Sequence, residues 1–280
     1  VYLTAAPDAP SLCARSRQEE QMTQSQELSA VSDAWLTYPE PSPTAPVRLF
    51  CLPYAGGGAS LYRSWPALLP SVEVVAVELP GHETRLDEPP LDRVEPIVAA
   101  LATAVTPHLD RPYAIFGHSF GALVGFELAR ELRRRDLPRP AALFASASPA
   151  PHVPRMPYPP MHLLSDRGLL GLIRQLRFVP PDVLDDPEET ASLLPVMRAD
   201  MNVVNSYEYA DEPALACPVR VFGATADHTV REDDLYGWQA HTTSSFSLRM
   251  VGGEHLMVRY RAREITGWIR EDLAGAGVPA

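Results

Sequence analysis

Tyr113-Ala114-Ile115-Phe116-Gly117-His118-Ser119-Phe120-Gly121 is the stretch that decides the fold. Its first four residues are an apolar run of strand character. The last five read G-x-S-x-G, and residues 122–132 then carry apolar side chains at partly helical spacing. Strand, sharp turn and helix is the setting of a nucleophile elbow, where a strained backbone lifts a serine hydroxyl clear of the sheet. Only small residues fit on either side of so tight a turn, which accounts for Gly117 and Gly121. Ser119 is therefore the candidate nucleophile. The competing reading is an ordinary strand-to-helix turn with a capping serine.

The pattern on both sides of this stretch is one of alternating strands and helices. Residues 47–52 are apolar enough for a buried strand and run into Pro53-Tyr54-Ala55-Gly56-Gly57-Gly58. The spacing predicts a helix-like stretch over 62–69, a strand over 72–79 stopped by Pro80-Gly81, and a helix over 94–109. Further strands are predicted over 141–147, 219–223 and 246–251, with a last helix over 261–273. This order implies an α/β domain with a mostly parallel sheet and helices on both faces. No internal repeat is evident.

Two segments break the pattern. Residues 155–212 hold no convincing strand, and Leu163, Leu164, Leu169, Leu170, Ile173 and Leu176 recur at helical spacing before Pro180-Pro181. Leu193, Leu194, Val196, Met197 and Met201 follow. We read a helical lid insertion that separates two parts of the core, 47–154 and 213–280. In sheet enzymes such insertions often sit over the C-terminal strand ends, where active sites lie. Its apolar faces either line a substrate tunnel or pack on the domain. Residues 1–46 are rich in Gln, Ser, Glu, Ala and Pro and end in Pro39-Glu-Pro-Ser-Pro-Thr-Ala-Pro46. They read as a disordered leader and a stiff proline linker. Met22 lies inside this leader and is a candidate start, with residues 1–21 as an upstream extension.

Composition excludes several classes. At 280 residues and 46% hydrophobic, the chain is long and apolar enough for one large α/β domain. No stretch approaches the roughly 20 uninterrupted apolar residues of a membrane span. No basic segment followed by an apolar one marks a signal peptide. A net charge of −11 argues against nucleic acid or an anionic membrane as the main partner. Cys13, Cys51 and Cys217 are odd in number and widely spaced, which fits reduced thiols in a cytoplasmic protein and no zinc site. Arg133, Arg134, Arg135 and Arg139 read as a solvated helix end with cations near its last carbonyls. A monomer is the default expectation.

Serine needs a base within hydrogen-bond reach and an acid to orient that base. On this architecture the chain order is Ser, then Asp or Glu, then His. His255 is the candidate base, because it follows the predicted strand 246–251 and Gly252-Gly253 and precedes the last helix. His118 adjoins the serine but points elsewhere on a tight turn. His82, His108, His152, His162, His228 and His241 lack that context and read as surface or packing residues. Asp227 is the candidate acid, just beyond the predicted strand 219–223. Asp233 and Asp234 compete with it but look like an exposed helix start, and Glu254 adjoins His255, where side chains diverge. A tetrahedral oxyanion needs two backbone N–H donors. Phe120, the residue after the serine, supplies one, and Ala55 of the glycine-rich loop is the candidate for the other. That loop lacks the Lys-Ser/Thr of a P-loop and the spacing of a dinucleotide fingerprint. No cofactor or metal is called for.

With these residues in place, the chain resembles the stand-alone type II thioesterases of polyketide and nonribosomal peptide synthesis, in the α/β-hydrolase superfamily. The likeness spans about residues 47–271. It is carried by Leu52-Pro-Tyr-Ala-Gly-Gly-Gly58 with Trp65, and by Glu78-Leu-Pro-Gly-His-Glu-Thr-Arg85 with Glu88-Pro-Pro90. Gly117-His-Ser-Phe-Gly-Ala122 follows, then Leu194-Pro-Val-Met-Arg-Ala-Asp200 with Tyr207 and Tyr209. Cys217-Pro-Val219, Asp227, Trp238 and Gly252-Gly-Glu-His-Leu256 complete the set. The family's triad falls on Ser119, Asp227 and His255. The resemblance implies hydrolysis of acyl thioesters from the phosphopantetheine arm of acyl or peptidyl carrier proteins, clearing aberrant acyl groups that stall an assembly line. Three departures stand out: Ala224-Thr-Ala226 is less acidic than is common before the aspartate, Phe120 stands where methionine is common, and the leader is long. The alternatives on the same fold are a lipase or carboxylesterase and a chain-releasing fatty acyl thioesterase. A non-catalytic carrier-binding module is a third, although binding alone does not require Ser, Asp and His in order.

Overall fold

The computed structural model describes residues 34–154, 163–177, 179, 181–275 and 277. Its strands are β1 (Leu36–Thr37), β2 (Val47–Leu52), β3 (Val72–Val77), β4 (Tyr113–His118), β5 (Leu143–Ser146), β6 (Val219–Ala224) and β7 (Phe246–Val251). They form one sheet of order β1-β3-β2-β4-β5-β6-β7. Strand β1 runs antiparallel to β3, and every other pairing is parallel. The helices are α1 (Val94–Val105), α2 (Phe120–Arg134), α3 (Asp166–Leu176), α4 (Pro181–Asp185), α5 (Pro187–Ser206), α6 (Glu232–Tyr236), α7 (Met257–Tyr260) and α8 (Ala262–Gly275).

The inner strands are apolar along most of their length because both of their faces are covered. Side chains alternate between the faces. Phe50, Leu52, Val75, Ile115 and Leu143 join one apolar cluster with Ile97 and Leu101 of α1 and Val124 and Leu128 of α2. Leu49, Cys51, Val74, Phe116 and Phe144 join the other with Ile265 and Ile269 of α8. Register keeps these layers aligned, with Phe50 opposite both Val75 and Ile115. On the second face the fully buried Trp65 ring meets Phe116 and Tyr62 edge-on, with centroids 4.8 and 4.9 Å apart. A full aromatic side chain buried in this way contributes roughly 1.5–3 kcal/mol.

Two elements differ from the sequence expectation. The stretch over 62–69 is two short 3-10 turns, Ala59–Tyr62 and Pro66–Leu68, and not a helix. Pro66 lacks the N–H that would continue a helix through this point, so a second turn starts at it. Residues 34–46 are not a mobile tail: Trp35 is buried and β1 pairs with β3 through Leu36 and Val77. The remainder of the leader, residues 1–33, lies outside the described residues, as do Cys13 and Met22.

Helices α3, α4 and α5 lie between β5 and β6, in the stretch read as an insertion. Their starts are set locally. Ser165 Oγ accepts from the Gly168 N–H to cap α3, and Asp186 accepts from Glu188 and Glu189 N–H to cap α5. Pro195 sits inside α5 and removes its bond to the carbonyl of residue 191. The arginines at the end of α2 are tied down: Arg133 and Arg134 pair with Glu212, Arg135 with Glu131, and Arg139 donates to the Ala216 carbonyl. Arg133 and Arg134 fasten α2 to the chain returning toward β6. Among the described residues no helix is long and apolar enough to cross a membrane.

Candidate active site

The C-terminal ends of four parallel strands deliver the site. β2 leads into the glycine-rich loop, β4 into Ser119, β6 into Asp227 and β7 into His255. Ser119 has φ 56° and ψ −114°, a conformation that costs of order 1–3 kcal/mol and persists only when its surroundings impose it. Two contacts do so. The Ser119 N–H donates to the Ser146 carbonyl at 2.7 Å, and its own carbonyl accepts from Ala122 at 3.0 Å. The flanking glycines leave room for nothing larger. A Cβ on Gly117 would lie 2.1 Å from the Gly121 carbonyl oxygen, and one on Gly121 would lie 2.4 Å from the carbonyls of Leu52 and Pro53. Backbone cannot swing aside as a side chain does. Gly117→Ala is therefore expected to destabilise the fold by about 3 kcal/mol or more, at the upper end for overpacking. Urea unfolding would measure it, and a loss under about 1 kcal/mol would contradict the steric account.

The structure brings the three sequence candidates into one chain of hydrogen bonds. Ser119 Oγ is 3.0 Å from His255 Nε2, and His255 Nδ1 is 2.7 Å from Asp227 Oδ2. The imidazole and carboxylate are 7% and 2% exposed, so water competes little for their bond. Two loop bonds hold the acid and base together: Thr225 N–H donates to the Val251 carbonyl and Ala226 N–H to that of Gly253. The other carboxylate oxygen of Asp227 accepts from the Thr229 N–H at 2.8 Å, the Thr229 hydroxyl at 2.7 Å and the Val230 N–H at 3.3 Å. Burial works to raise the Asp227 carboxyl, but the bonds from His255 and Thr229 outweigh it and hold it below its ordinary range.

Thr229 and His118 are the side chains around this triad that sequence reasoning passed over as functional supports. The Thr229 hydroxyl also stands 3.0 Å from His255 Nδ1. It lies two positions past Asp227, the spacing of a local Asx-type turn, and that was its only legible signal. His118 is fully buried, with Nδ1 2.9 Å from Ser146 Oγ and Nε2 2.9 Å from the His255 carbonyl oxygen. A carbonyl can only accept, so Nε2 carries the proton and Nδ1 accepts from Ser146. His118 thus braces the backbone of His255 and stays out of the proton path.

Burial, with His255 beside it, pushes the His118 imidazole down to about 3. Burial, with His152 beside it, pushes His241 down to about 4. Unfolded, each ring takes up a proton below about pH 6.5; folded, each resists until far lower pH. Through the interval the unfolded state binds more protons, so stability falls as pH is lowered and is fully present above it. Each histidine contributes at most about 1.4 kcal/mol per pH unit to that slope. Denaturant midpoints between pH 7 and pH 4.5 should decline, and His118→Gln should flatten the decline. An unchanged slope in the variant would remove His118 from this account.

Ser119 and His255 open into a pocket walled by Tyr54, Ala55, Phe120 and Pro149 and by Met201 and Val204 of α5. Neither the Ala55 N–H nor the Phe120 N–H has an acceptor among the described residues, and both residues face the space beside Ser119. A wider groove continues from Tyr54 along the glycine-rich loop to Leu193 and Val196 of α5. The competing acids are engaged elsewhere: Asp234 pairs with Arg231, and Glu254 pairs with Arg177 at the surface. His82 is no surface residue; it is buried and bonded to Asp200. No group of three or more metal-ligating side chains occurs among the described residues. Cys51 and Cys217 are buried and free.

The chain matches the thioesterase domain family over residues 47–273. It is 38% identical over 227 residues to the gramicidin S biosynthesis protein GrsT of Aneurinibacillus migulanus, covering 80% of this chain and 88% of that one. Among solved structures it resembles the type II thioesterase BorB of the borrelidin cluster, with 33% identity, a TM-score of 0.80 and coverage of 86% and 98%. It also resembles RedJ, a thioesterase of the prodiginine pathway of Streptomyces coelicolor, with 39% identity, a TM-score of 0.77 and coverage of 82% and 91%.

Proposed function

The chain belongs to the thioesterase domain family, and from that membership we propose that it is a type II thioesterase acting on carrier-protein-bound acyl groups in the assembly of a polyketide or nonribosomal peptide. The observation that carries the mechanism is the Ser119–His255–Asp227 relay, at 3.0 and 2.7 Å, opening into a pocket with apolar walls. His255 Nε2 takes the Ser119 proton as Oγ attacks the thioester carbonyl. Asp227 keeps the proton on Nδ1 and stabilises the imidazolium that forms. The Ala55 and Phe120 N–H groups receive the oxyanion, worth about 10²–10³-fold in rate for each such donor. The carbon–sulfur bond then breaks, and the thiol leaves with the proton from His255. Water, deprotonated by the same nitrogen, attacks the acyl-serine, and the acid departs as the proton returns to Ser119.

The partner is an acyl or peptidyl carrier protein whose pantetheine arm reaches Ser119 along the groove beside Tyr54, with α3–α5 as the lid over the acyl group. The test is the release of one acyl group from three donors: a holo carrier protein, a free pantetheine analogue and an oxygen ester. The expected order is carrier first and oxygen ester last. An oxygen ester turned over as fast as the carrier-bound thioester would make the protein a general esterase.

A further inference from the structure

The glycine-rich loop and α5 touch more closely than a lid over a pocket requires. Gly56 has φ +75°, and a Cβ there would lie 2.7 Å from Met197 Cε and 3.0 Å from Leu193 Cδ1, both on α5. From the same helix, Asp200 Oδ2 accepts the Gly56 N–H at 2.7 Å. That oxygen also lies 3.0 Å from His82 Nε2, and both side chains are almost wholly buried, at 2% and 3% exposed. His82 Nδ1 is 3.0 Å from the Pro80 carbonyl oxygen. Both ring nitrogens therefore face acceptors, an arrangement that favours the doubly protonated ring. Burial opposes that charge, but the neighbouring Asp200 charge and hydrogen bond prevail and raise the imidazole above its ordinary range.

We propose that Asp200, braced by His82, is a positioning residue for the oxyanion loop: by fixing the Gly56 N–H it holds the adjoining Ala55 N–H where the oxyanion forms. The inference rests on the reading of Ala55 and Phe120 as the oxyanion donors. Ala55 sits inside a turn closed by the Gly57 N–H on the Tyr54 carbonyl at 2.8 Å. Gly56, between them, has its outward N–H on Asp200, so both rims of the turn are fixed. His82 is presented by a folded turn of its own, in which Gly81 N–H donates to the Arg85 carbonyl and Thr84 N–H to Glu78 Oε1. One buried link thus joins the helix, the turn after β3 and the loop after β2. A charge-assisted pair is the strong form of such a link. Without Asp200, the Gly56 N–H loses its acceptor and the His82 charge is buried unpaired.

The test is steady-state hydrolysis of an acyl-pantetheine thioester, together with inhibition by a trifluoromethyl ketone bearing the same acyl chain. That ketone forms a hemiketal with Ser119 whose oxyanion needs the same donors. Asp200→Ala should lower kcat by about 10²-fold, as loss of an oxyanion donor does, with KM within a few-fold. The inhibition constant should rise by the factor by which kcat/KM falls. Asp200→Asn, which keeps an oxygen for Gly56, should lose roughly tenfold, a partial rescue. Val203→Ala, at a fully buried site on the same helix, should lower stability and leave the inhibition constant unchanged. Folded Asp200 variants with unaltered kcat and inhibition constant would overturn the inference, provided Ser119→Ala is inactive. If Ser119→Ala retains turnover, the mechanism beneath the inference fails with it. If circular dichroism finds Asp200→Ala unfolded, Asp200→Asn decides: parallel changes in kcat and inhibition constant support the role, and an unchanged inhibition constant overturns it.

Discussion

Ser119→Ala should lower kcat for carrier-bound thioester by about 10⁴–10⁶-fold while leaving carrier binding intact, because triad members act as a unit and removing the nucleophile forfeits most of their joint effect. The substitution removes one partly exposed hydroxyl and one bond to His255 Nε2 at 3.0 Å. It leaves the elbow backbone to its own two hydrogen bonds, to Ser146 and from Ala122. The fold should therefore survive. The other hydroxyls near the pocket are poor substitutes. Thr229 is committed to Asp227 at 2.7 Å and faces His255 Nδ1, on the far side of the ring from the substrate. The Ser148 hydroxyl donates to the carbonyl of Pro149, at 3.4 Å, and makes no hydrogen bond to His255 among the described residues. The residual rate would come from water activated by His255 in the presence of the two N–H donors, which can retain 10³–10⁴-fold over uncatalysed hydrolysis. Mass spectrometry of the carrier-bound acyl group would measure it. Turnover within tenfold of the parent would remove Ser119 from the nucleophile's role.

How much of this was legible in the chain depends on the range of the interaction. β2 and β7 start and stop at the residues expected from local pattern, Val47–Leu52 and Phe246–Val251, because their ends coincide with turn chemistry. β1 was not legible: it is two residues long, and its pairing with β3 is written only in the distant Val77 and Ala76. Ser119, Asp227 and His255 could be proposed together because each follows a strand, and strand ends converge by topology. Asp200 and His82 could not be paired in the same way. They lie 118 positions apart, one on a helix and one in a turn, and nothing local says that their side chains meet. From the sequence His82 therefore reads as a surface or packing residue, and only the fold sets it against Asp200. Helices α3 and α5 were legible as helices from Leu and Met spacing, whereas the close approach of α5 to Gly56 depends on tertiary packing.

Asp227→Asn should lower kcat by about 10⁴-fold with the fold retained, the loss expected when the base is held in the wrong tautomer. The reason is specific to how Asp227 is held. One of its oxygens accepts from the Thr229 N–H, the Thr229 hydroxyl and the Val230 N–H. An asparagine must place its oxygen there, since its amide nitrogen cannot accept from those donors. The amide nitrogen is then driven to the other position, 2.7 Å from His255 Nδ1 in the parent. A donor at that place makes Nδ1 the acceptor and moves the ring proton to Nε2. The ring then presents N–H to Ser119 Oγ, where it should present a lone pair, and cannot take the serine proton. Thr229→Val separates the two parts of this argument. It removes the hydroxyl but leaves the backbone N–H donors and the aspartate, so the correct tautomer remains and the loss should be roughly tenfold to a hundredfold, in line with one hydrogen bond to a charged group. A large loss in Asp227→Asn with a much smaller one in Thr229→Val would support tautomer control by Asp227. Equal losses in both would mean that Thr229 is itself needed at His255, and the role given to Asp227 alone would fail.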